Sequence, residues 1–289
     1  MRIAVTGASG FIGSRVSAAL RARGHEVISL GRRLGDRLWD PAAGPAPLDG
    51  TDAVVHLAGE PVASGRWSDA KMRRIRESRV AGTRNLVAGL QAAGARILVS
   101  ASATGYYGNR GDEELTEDSA PGRDFLSGVC RDWEAEAATS GARTVLIRIG
   151  IALGAQGGAL ARMLLPFRLG LGGRLGDGRQ WMSWIHVDDL AALVLHAVET
   201  DSLSGPLLGT SPAPVRNVDF TRALGRALGR WTILPMPAWQ LRLLFGKVAE
   251  VLLGSQRCLP RRTLESGFRH RYPELGAALR AILESPPAS

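Results

Sequence analysis

With 289 residues the chain can bury one large core, or one α/β domain and a smaller lobe. A net charge of +9 raises nucleic acid or anionic lipid as partners, but all but two of the 36 basic residues are arginines spread along the chain, so neither partner is expected. No apolar run approaches the roughly 18 residues of a membrane helix, and the first one stops at Gly7, too early for a secretory signal.

Arg2 to Thr6 reads as a buried strand that runs into Gly7-Ala8-Ser9-Gly10-Phe11-Ile12-Gly13 and a helix to about Arg23. Gly7 permits the turn, Gly10 lets backbone approach a pyrophosphate, and Gly13 lets helix pack on strand, with free N–H groups at the helix start. The spacing is GxxGxxG, and the alternative is a purely structural glycine turn. A second strand, Glu26 to Leu30, follows at βαβ distance and favours a dinucleotide site. Beyond it stand Arg32 and Arg33, where a carboxylate would suit a ribose 2′-hydroxyl and an arginine suits a 2′-phosphate. Asp36 lies further into a loop, so NADP(H) is predicted over NAD; two merely exposed arginines are the alternative.

Ala53 to Leu57 is the next strand, ending in Leu57-Ala58-Gly59, small residues that leave room for a ligand. A helix over about 69–92 carries the densest basic run, Lys71 to Arg79, whose charges point several ways. Ile97 to Ser100 leads into Ala101-Ser102-Ala103-Thr104-Gly105-Tyr106-Tyr107, hydroxyls at a strand end that suggest chemistry or a capped turn. An acidic loop (112–118), a helix (124–139) and a strand (144–149) followed by Gly150 and Ile151 complete the alternation of a doubly wound parallel α/β sheet.

From about 156 the pattern changes to a smaller C-terminal lobe, with 181–200 returning to the first domain, 1–155. Helices are predicted over 159–168, 219–228 and 273–283, with apolar helical pieces around 239–253 and glycine turns over 170–178. Asp188 suits an N-cap, and Ser285 to Ser289 should fray. Trp67, Trp181, Trp184, Met163 and Phe167 either line a substrate cleft or join the lobes, and His186 either titrates there or is structural. Cys130 and Cys258 match no metal spacing, so no metal and a reduced, cytoplasmic setting are expected.

With these residues the chain resembles the extended short-chain dehydrogenase/reductases, and more closely an atypical, epimerase-like NAD(P)-binding branch of unknown substrate. The resemblance rests on Thr6–Gly13, His56–Glu60, Gly65-Arg66-Trp67, Ser78–Thr83, Ser100–Gly108, Arg148–Gly150, Leu165–Gly173 and Gln180–Asp189, and covers nearly the whole chain. It implies a Rossmann domain that binds NADP(H). Gly7, Gly10, Phe11, Ile12 and Gly13 would meet the pyrophosphate, Arg32 with Arg33 the 2′-phosphate, and Leu57, Ala58 and Gly59 the adenosine side. Arg79 would reach the cofactor, and Ser100, Ala101, Gly150 and Ile151 would flank the nicotinamide.

The superfamily's Tyr-x-x-x-Lys pair is absent; aligned through Glu134, its places hold Leu126 and Cys130. Ser102 matches the family's catalytic serine, and Tyr106 or Tyr107 is the substitute proton donor, unless both are wall packing. Trp67, Trp184 and His186 are the substrate-side candidates. These residues predict an oxidoreductase acting on a small carbonyl or hydroxyl compound. The alternatives are a non-catalytic NADP(H)-binding sensor or interaction protein, linked to cell division by resemblance only, and a nucleotide-sugar epimerase. The sequence leaves the oligomeric state open.

Overall fold

Strand β1 (Arg2–Thr6) places Ile3 and Val5 in one core cluster and Ala4 in another. A strand buried on both faces belongs inside a sheet covered by helices on both sides. The computed structural model, which describes residues 1–284, has that architecture. The tail predicted to fray, Ser285 to Ser289, lies outside the described residues.

The first half alternates regularly. After β1 come α1 (Phe11–Ala22), β2 (Glu26–Gly31), β3 (Arg37–Leu38), β4 (Ala53–His56), α2 (Asp69–Ala93) and β5 (Ile97–Ala103). A 3₁₀ turn (Thr104–Tyr107), β6 (Glu114–Leu115), α3 (Phe125–Ala138), β7 (Arg143–Ile149) and β8 (Ile151–Gly154) follow. The central sheet runs β7-β5-β4-β1-β2-β3 in space, all parallel, with one further strand outside β7. Chain order reverses between β1 and β4, so the crevice above their C-terminal ends is the switch point where such sheets bind ligands.

Local sequence explains the boundaries. The Ser68 hydroxyl accepts the Lys71 N–H at the start of α2, and Gly94 ends that helix at φ +67°. Leu86 and Leu90 of α2 and Ala137 of α3 cover one sheet face, and Val16 and Leu20 of α1 the other. The basic run on α2 is partly neutralised by α3, through Arg76–Asp132 at 2.5 Å and an Arg84–Glu136 pair.

The C-terminal half leaves the sheet and returns. After α4 (Gly158–Arg168) and β9 (Trp181–Met182), β10 (Trp184–His186) pairs with β8. Helix α5 (Val187–Glu199) then packs beside α1, and β11 (Gly205–Gly209) joins β7 as the outer strand. The return therefore extends to Gly209. The N-cap of α5 is His186, whose Nδ1 accepts the Asp188 N–H at 3.1 Å, and not Asp188 as the sequence suggested.

The lobe proper adds β12 (Val215–Arg216), α6 (Asn217–Leu228), α7 (Ala238–Phe245), α8 (Val248–Leu253), β13 (Arg257–Cys258), α9 (Arg261–Glu265) and α10 (Leu275–Glu284). The apolar helical pieces expected around 239–253 are two helices, parted at Gly246, φ +57°. Leu160 and Phe167 of α4, Phe220 and Leu224 of α6 and Leu279 of α10 make a separate core. Buried Glu117 ties this half to the acidic loop, accepting the N–H groups of Leu208, Arg262 and Thr263, each at 3.2 Å. Among the described residues no helix is long and apolar enough to cross a membrane.

Candidate functional site

The glycine turn is shaped by contacts that only hydrogen allows. Gly7 sits at φ +69°, and a Cβ there would lie 3.1 Å from the backbone of Leu57 and Ala58. A Cβ on Gly13 would stand 2.0 Å from the Gly7 carbonyl oxygen. Gly10 is the N-cap of α1 without a side-chain cap, and the first turn holds no acid. Its leading N–H groups therefore face the switch-point crevice as an anion cradle. The Phe11 ring points the other way: Cβ atoms on Gly154, Gly157 and Gly158 would lie 2.7, 2.6 and 3.0 Å from it. Phe11 thus leaves its backbone at the start of α1 and spends its ring on the β8–α4 connection.

The floor of the crevice is a hydrogen-bonded chain across β1, β4 and α2. Thr6 Oγ1 accepts the N–H groups of Leu57 and Ala58, both at 3.1 Å. Its proton therefore goes to His56 Nδ1 at 2.7 Å, which leaves Nε2–H to donate to Thr83 Oγ1 at 3.1 Å. Burial, with the charge of Arg79 second, lowers the His56 pKa from 6.5 to about 4. The unfolded chain binds this proton near 6.5 and the folded chain only near 4, so the contribution is complete above 6.5 and lost as pH falls towards 4. The loss amounts to about 3 kcal/mol. Melting temperature should fall between pH 7 and pH 5, and a His56→Gln variant should show a flatter profile; superimposable wild-type melts at the two pH values would refute this.

At the end of β2, Arg32 and Arg33 are exposed and make no hydrogen bond or ion pair among the described residues. Asp36 folds back instead, its carboxylate accepting the Ser29 N–H and hydroxyl, both at 2.8 Å. The Ser29 N–H, then its hydroxyl, holds that carboxyl below the usual range. The nearest acid is thus engaged, while the two arginines stay exposed. Half-buried Arg79 donates to the carbonyl oxygens of Glu60 (3.0 Å) and Ile75 (3.2 Å). Its guanidinium would be 3.2 Å from a Cβ on Gly59 and covers the Trp133 ring at 5.2 Å.

The end of β5 divides the predicted catalytic residues. Ser102, 2% exposed, donates its hydroxyl to Glu134 Oε1 at 2.5 Å. Arg148 grips the same carboxylate from Nε and Nη2 at 2.9 and 2.8 Å, and donates from Nη1 to Tyr107 Oη at 2.9 Å. Tyr107 is fully buried and gives its own proton to the Thr116 carbonyl oxygen at 2.9 Å. Burial, only partly offset by Arg148, raises its pKa above the ordinary 10. Tyr107 is therefore part of the wall. Tyr106 is half-buried, with the Arg148 guanidinium 3.5 Å from its ring centre, and its hydroxyl has no protein partner among the described residues. Arg148 and Glu134, which hold this corner together, were not foreseen as site residues.

Leu126 and Cys130 face this turn: a Cβ on Gly105 would lie 3.5 Å from Leu126 Cβ and 3.9 Å from Cys130 Sγ. Burial pushes the Cys130 thiol up to about 12, against the pull of nearby Arg79. Trp67 packs edge-on to Phe125 with ring centres 5.6 Å apart. Ser100 and Ala101 are buried in β5 and pair with Leu146 and Ile147 of β7, while Gly150 and Ile151 lie past the end of β7, where β8 begins. A Cβ on Gly150 would meet the Ser183 oxygen at 2.2 Å.

Two predicted substrate residues are not in the crevice. Trp184 is fully buried in the lobe core and donates its indole N–H to the Ala213 oxygen at 2.9 Å. His186 is 4% exposed, caps α5 and stacks on Tyr272 at 4.1 Å. Among the described residues no group of three or more His, Cys, Asp or Glu side chains could hold a metal.

Comparison with known proteins agrees with this geometry. Residues 3–206 match the model of the NAD dependent epimerase/dehydratase family, and residues 236–282 match a domain of unknown function (DUF1731). The chain is 43% identical over 288 residues to the epimerase family protein Mb2239 of Mycobacterium bovis, covering 96% of each. The crystal structure of human epimerase family protein SDR39U1 with NADPH superposes with a TM-score of 0.92 at 38% identity, over 99% of this chain and 100% of that one. A nucleoside-diphosphate sugar epimerase from Corynebacterium glutamicum gives 0.81 at 38% identity, over 98% of this chain and 58% of that one.

Proposed function

The chain belongs to the NAD dependent epimerase/dehydratase family, within the short-chain dehydrogenase/reductases, and on that premise we propose that it is an NADP(H)-dependent oxidoreductase acting on a small carbonyl or hydroxyl compound. The observation that carries the cofactor choice is the end of β2, where Asp36 is turned onto Ser29 while Arg32 and Arg33 stand free of protein partners among the described residues. The NADPH named for the human relative supports the same choice.

The leading amides of α1 hold the pyrophosphate, and Arg32 with Arg33 holds the 2′-phosphate. The Thr6–His56–Thr83 chain keeps the ends of β1 and β4 in place beneath them. Bound there, NADPH supplies a hydride. The chain's part is the proton: Tyr106 Oη, open to the crevice, donates to the developing alkoxide and is recharged from water. Arg148 positions the Tyr106 ring, and Trp67 with Phe125 forms the apolar wall.

The second reading, a non-catalytic NADP(H)-binding protein, draws on the same corner. Ser102 is committed to Glu134, and Leu126 and Cys130 stand where a tyrosine and a lysine would. A nucleotide-sugar epimerase needs that same missing pair.

One experiment separates these readings: titration with NADPH and NADH, followed by a panel of quinones, aldehydes and ketones while nicotinamide absorbance is read. Arg32→Ala should weaken NADPH about tenfold or more and leave NADH unchanged, as expected for loss of a charged hydrogen bond. Equal losses would remove the 2′-phosphate role. Tyr106→Phe should lower turnover with NADPH affinity intact; full turnover would remove Tyr106 as donor. Tight NADPH binding without oxidation by any compound would favour the sensor.

A further inference from the structure

A second concavity lies on the C-terminal lobe, between α6 and the segment after it. It encloses about 830 Å³, within the range of small-molecule pockets, and four arginines line it: Arg174, Arg222, Arg226 and Arg230. Arg222 and Arg226 stand four residues apart on α6, so their guanidiniums leave from one side, Cα atoms about 6 Å apart, and Arg230 follows just past the left-handed cap Gly229 (φ +62°). Like charges so placed repel one another unless an anion lies between them. The carboxylate within ion-pair reach of this group among the described residues is Asp219, exposed and 3.5 Å from Arg222. Arg230 spends only its Nε, on the Arg168 carbonyl oxygen at 2.9 Å. Four cations thus converge on one cavity with almost no internal neutralisation.

The walls are preformed. The Arg174 oxygen accepts the Met236 N–H and the Met236 oxygen accepts the Gly176 N–H, both at 2.9 Å, which straps the segment after α6 along the cavity. A Cβ on Gly225 would stand 2.5 Å from Thr232, so α6 and that segment touch at the base. At the mouth the Trp231 side chain is exposed, the residue retaining 84% of its accessible surface, with Ile233 beside it. An indole plane next to clustered guanidiniums is a stacking surface beside a phosphate receptor.

We propose that this cavity binds a nucleoside polyphosphate, with the phosphates among Arg174, Arg222, Arg226 and Arg230 and the base on Trp231. The site is separate from the dinucleotide crevice, being built from the lobe alone.

The test is calorimetric titration of ATP and of inorganic tripolyphosphate into the full chain saturated with NADPH, so that the crevice is blocked. One equivalent of ATP should bind. Arg222→Gln with Arg226→Gln should weaken it at least tenfold while leaving melting temperature and NADPH titration unchanged. Trp231→Ala should weaken ATP but leave tripolyphosphate as it was. Absence of ATP binding, or ATP affinity indifferent to the double substitution, would overturn the proposal. Equal affinity for ATP and tripolyphosphate would overturn the base site. Binding of a single-stranded oligonucleotide with no ATP binding would replace the cavity with an extended polyanion track and overturn it as well.

Discussion

Gly13→Val is expected to weaken NADPH binding by about a hundredfold or more. The first carbon added would lie 2.0 Å from the Gly7 carbonyl oxygen and 2.8 Å from its carbon. Both are backbone atoms, so no side chain can swing away, and α1 must lift from β1. Overpacking of this kind costs about 1–3 kcal/mol, and displacing a binding group by about 1 Å can cost on the order of a hundredfold. Fluorescence titration should show NADPH affinity down by that order or more, with a lowered melting temperature. The control is Gly128→Ala in α3, where an added Cβ meets nothing within 4 Å and helix propensity improves. Unchanged NADPH affinity in Gly13→Val would mean that α1 does not form the cradle.

Glu134→Leu should be the most destabilising single change among the buried polar residues. Glu134 takes two hydrogen bonds from Arg148 and one from Ser102, and its removal leaves a buried guanidinium without its counter-charge. Breaking a buried pair in this way costs about 3–5 kcal/mol, whereas replacing both partners by apolar residues can be nearly neutral. Thermal unfolding should therefore show a large fall for Glu134→Leu and substantial recovery in Glu134→Leu/Arg148→Met. The double variant would still lose turnover, because the Tyr106 ring would lack the guanidinium that covers it. A single variant that melts like the parent would show that the pair carries no net stability.

What could be read from the sequence was local. The glycine turn, the buried strand Arg2 to Thr6 and the helix over about 69–92 each follow from a few adjacent residues. Strand β11 escaped because Gly205 and Pro206 are poor strand formers; an edge position, paired with β7 alone, tolerates a proline. Strand β3 is two residues long and leaves no pattern.

The site divides in the same way. The glycine turn could be read because its spacing encodes it, whereas Arg148 meets Glu134 from 14 residues away and Tyr107 from 41. Nothing local announces either contact. Trp184 and His186 show the complementary error: aromatic residues suit a cleft wall and a lobe core equally well by composition. Only packing against Phe220 and Tyr272 distinguishes them. The Asp36 carboxylate illustrates a third case, in which sequence position was right but orientation decided the chemistry.

The ring of Phe11 has a consequence for how this chain can change over generations. Gly154 and Gly157 are separated from it by more than 140 residues, yet each is small because that ring fills the space its side chain would need. A larger residue at either demands a smaller one at position 11, and a smaller one there opens a void that the two could then fill. Gly158 is bound twice over, by its φ of +70° and by the Ala152 oxygen 2.9 Å from an added Cβ, so no change at position 11 frees it.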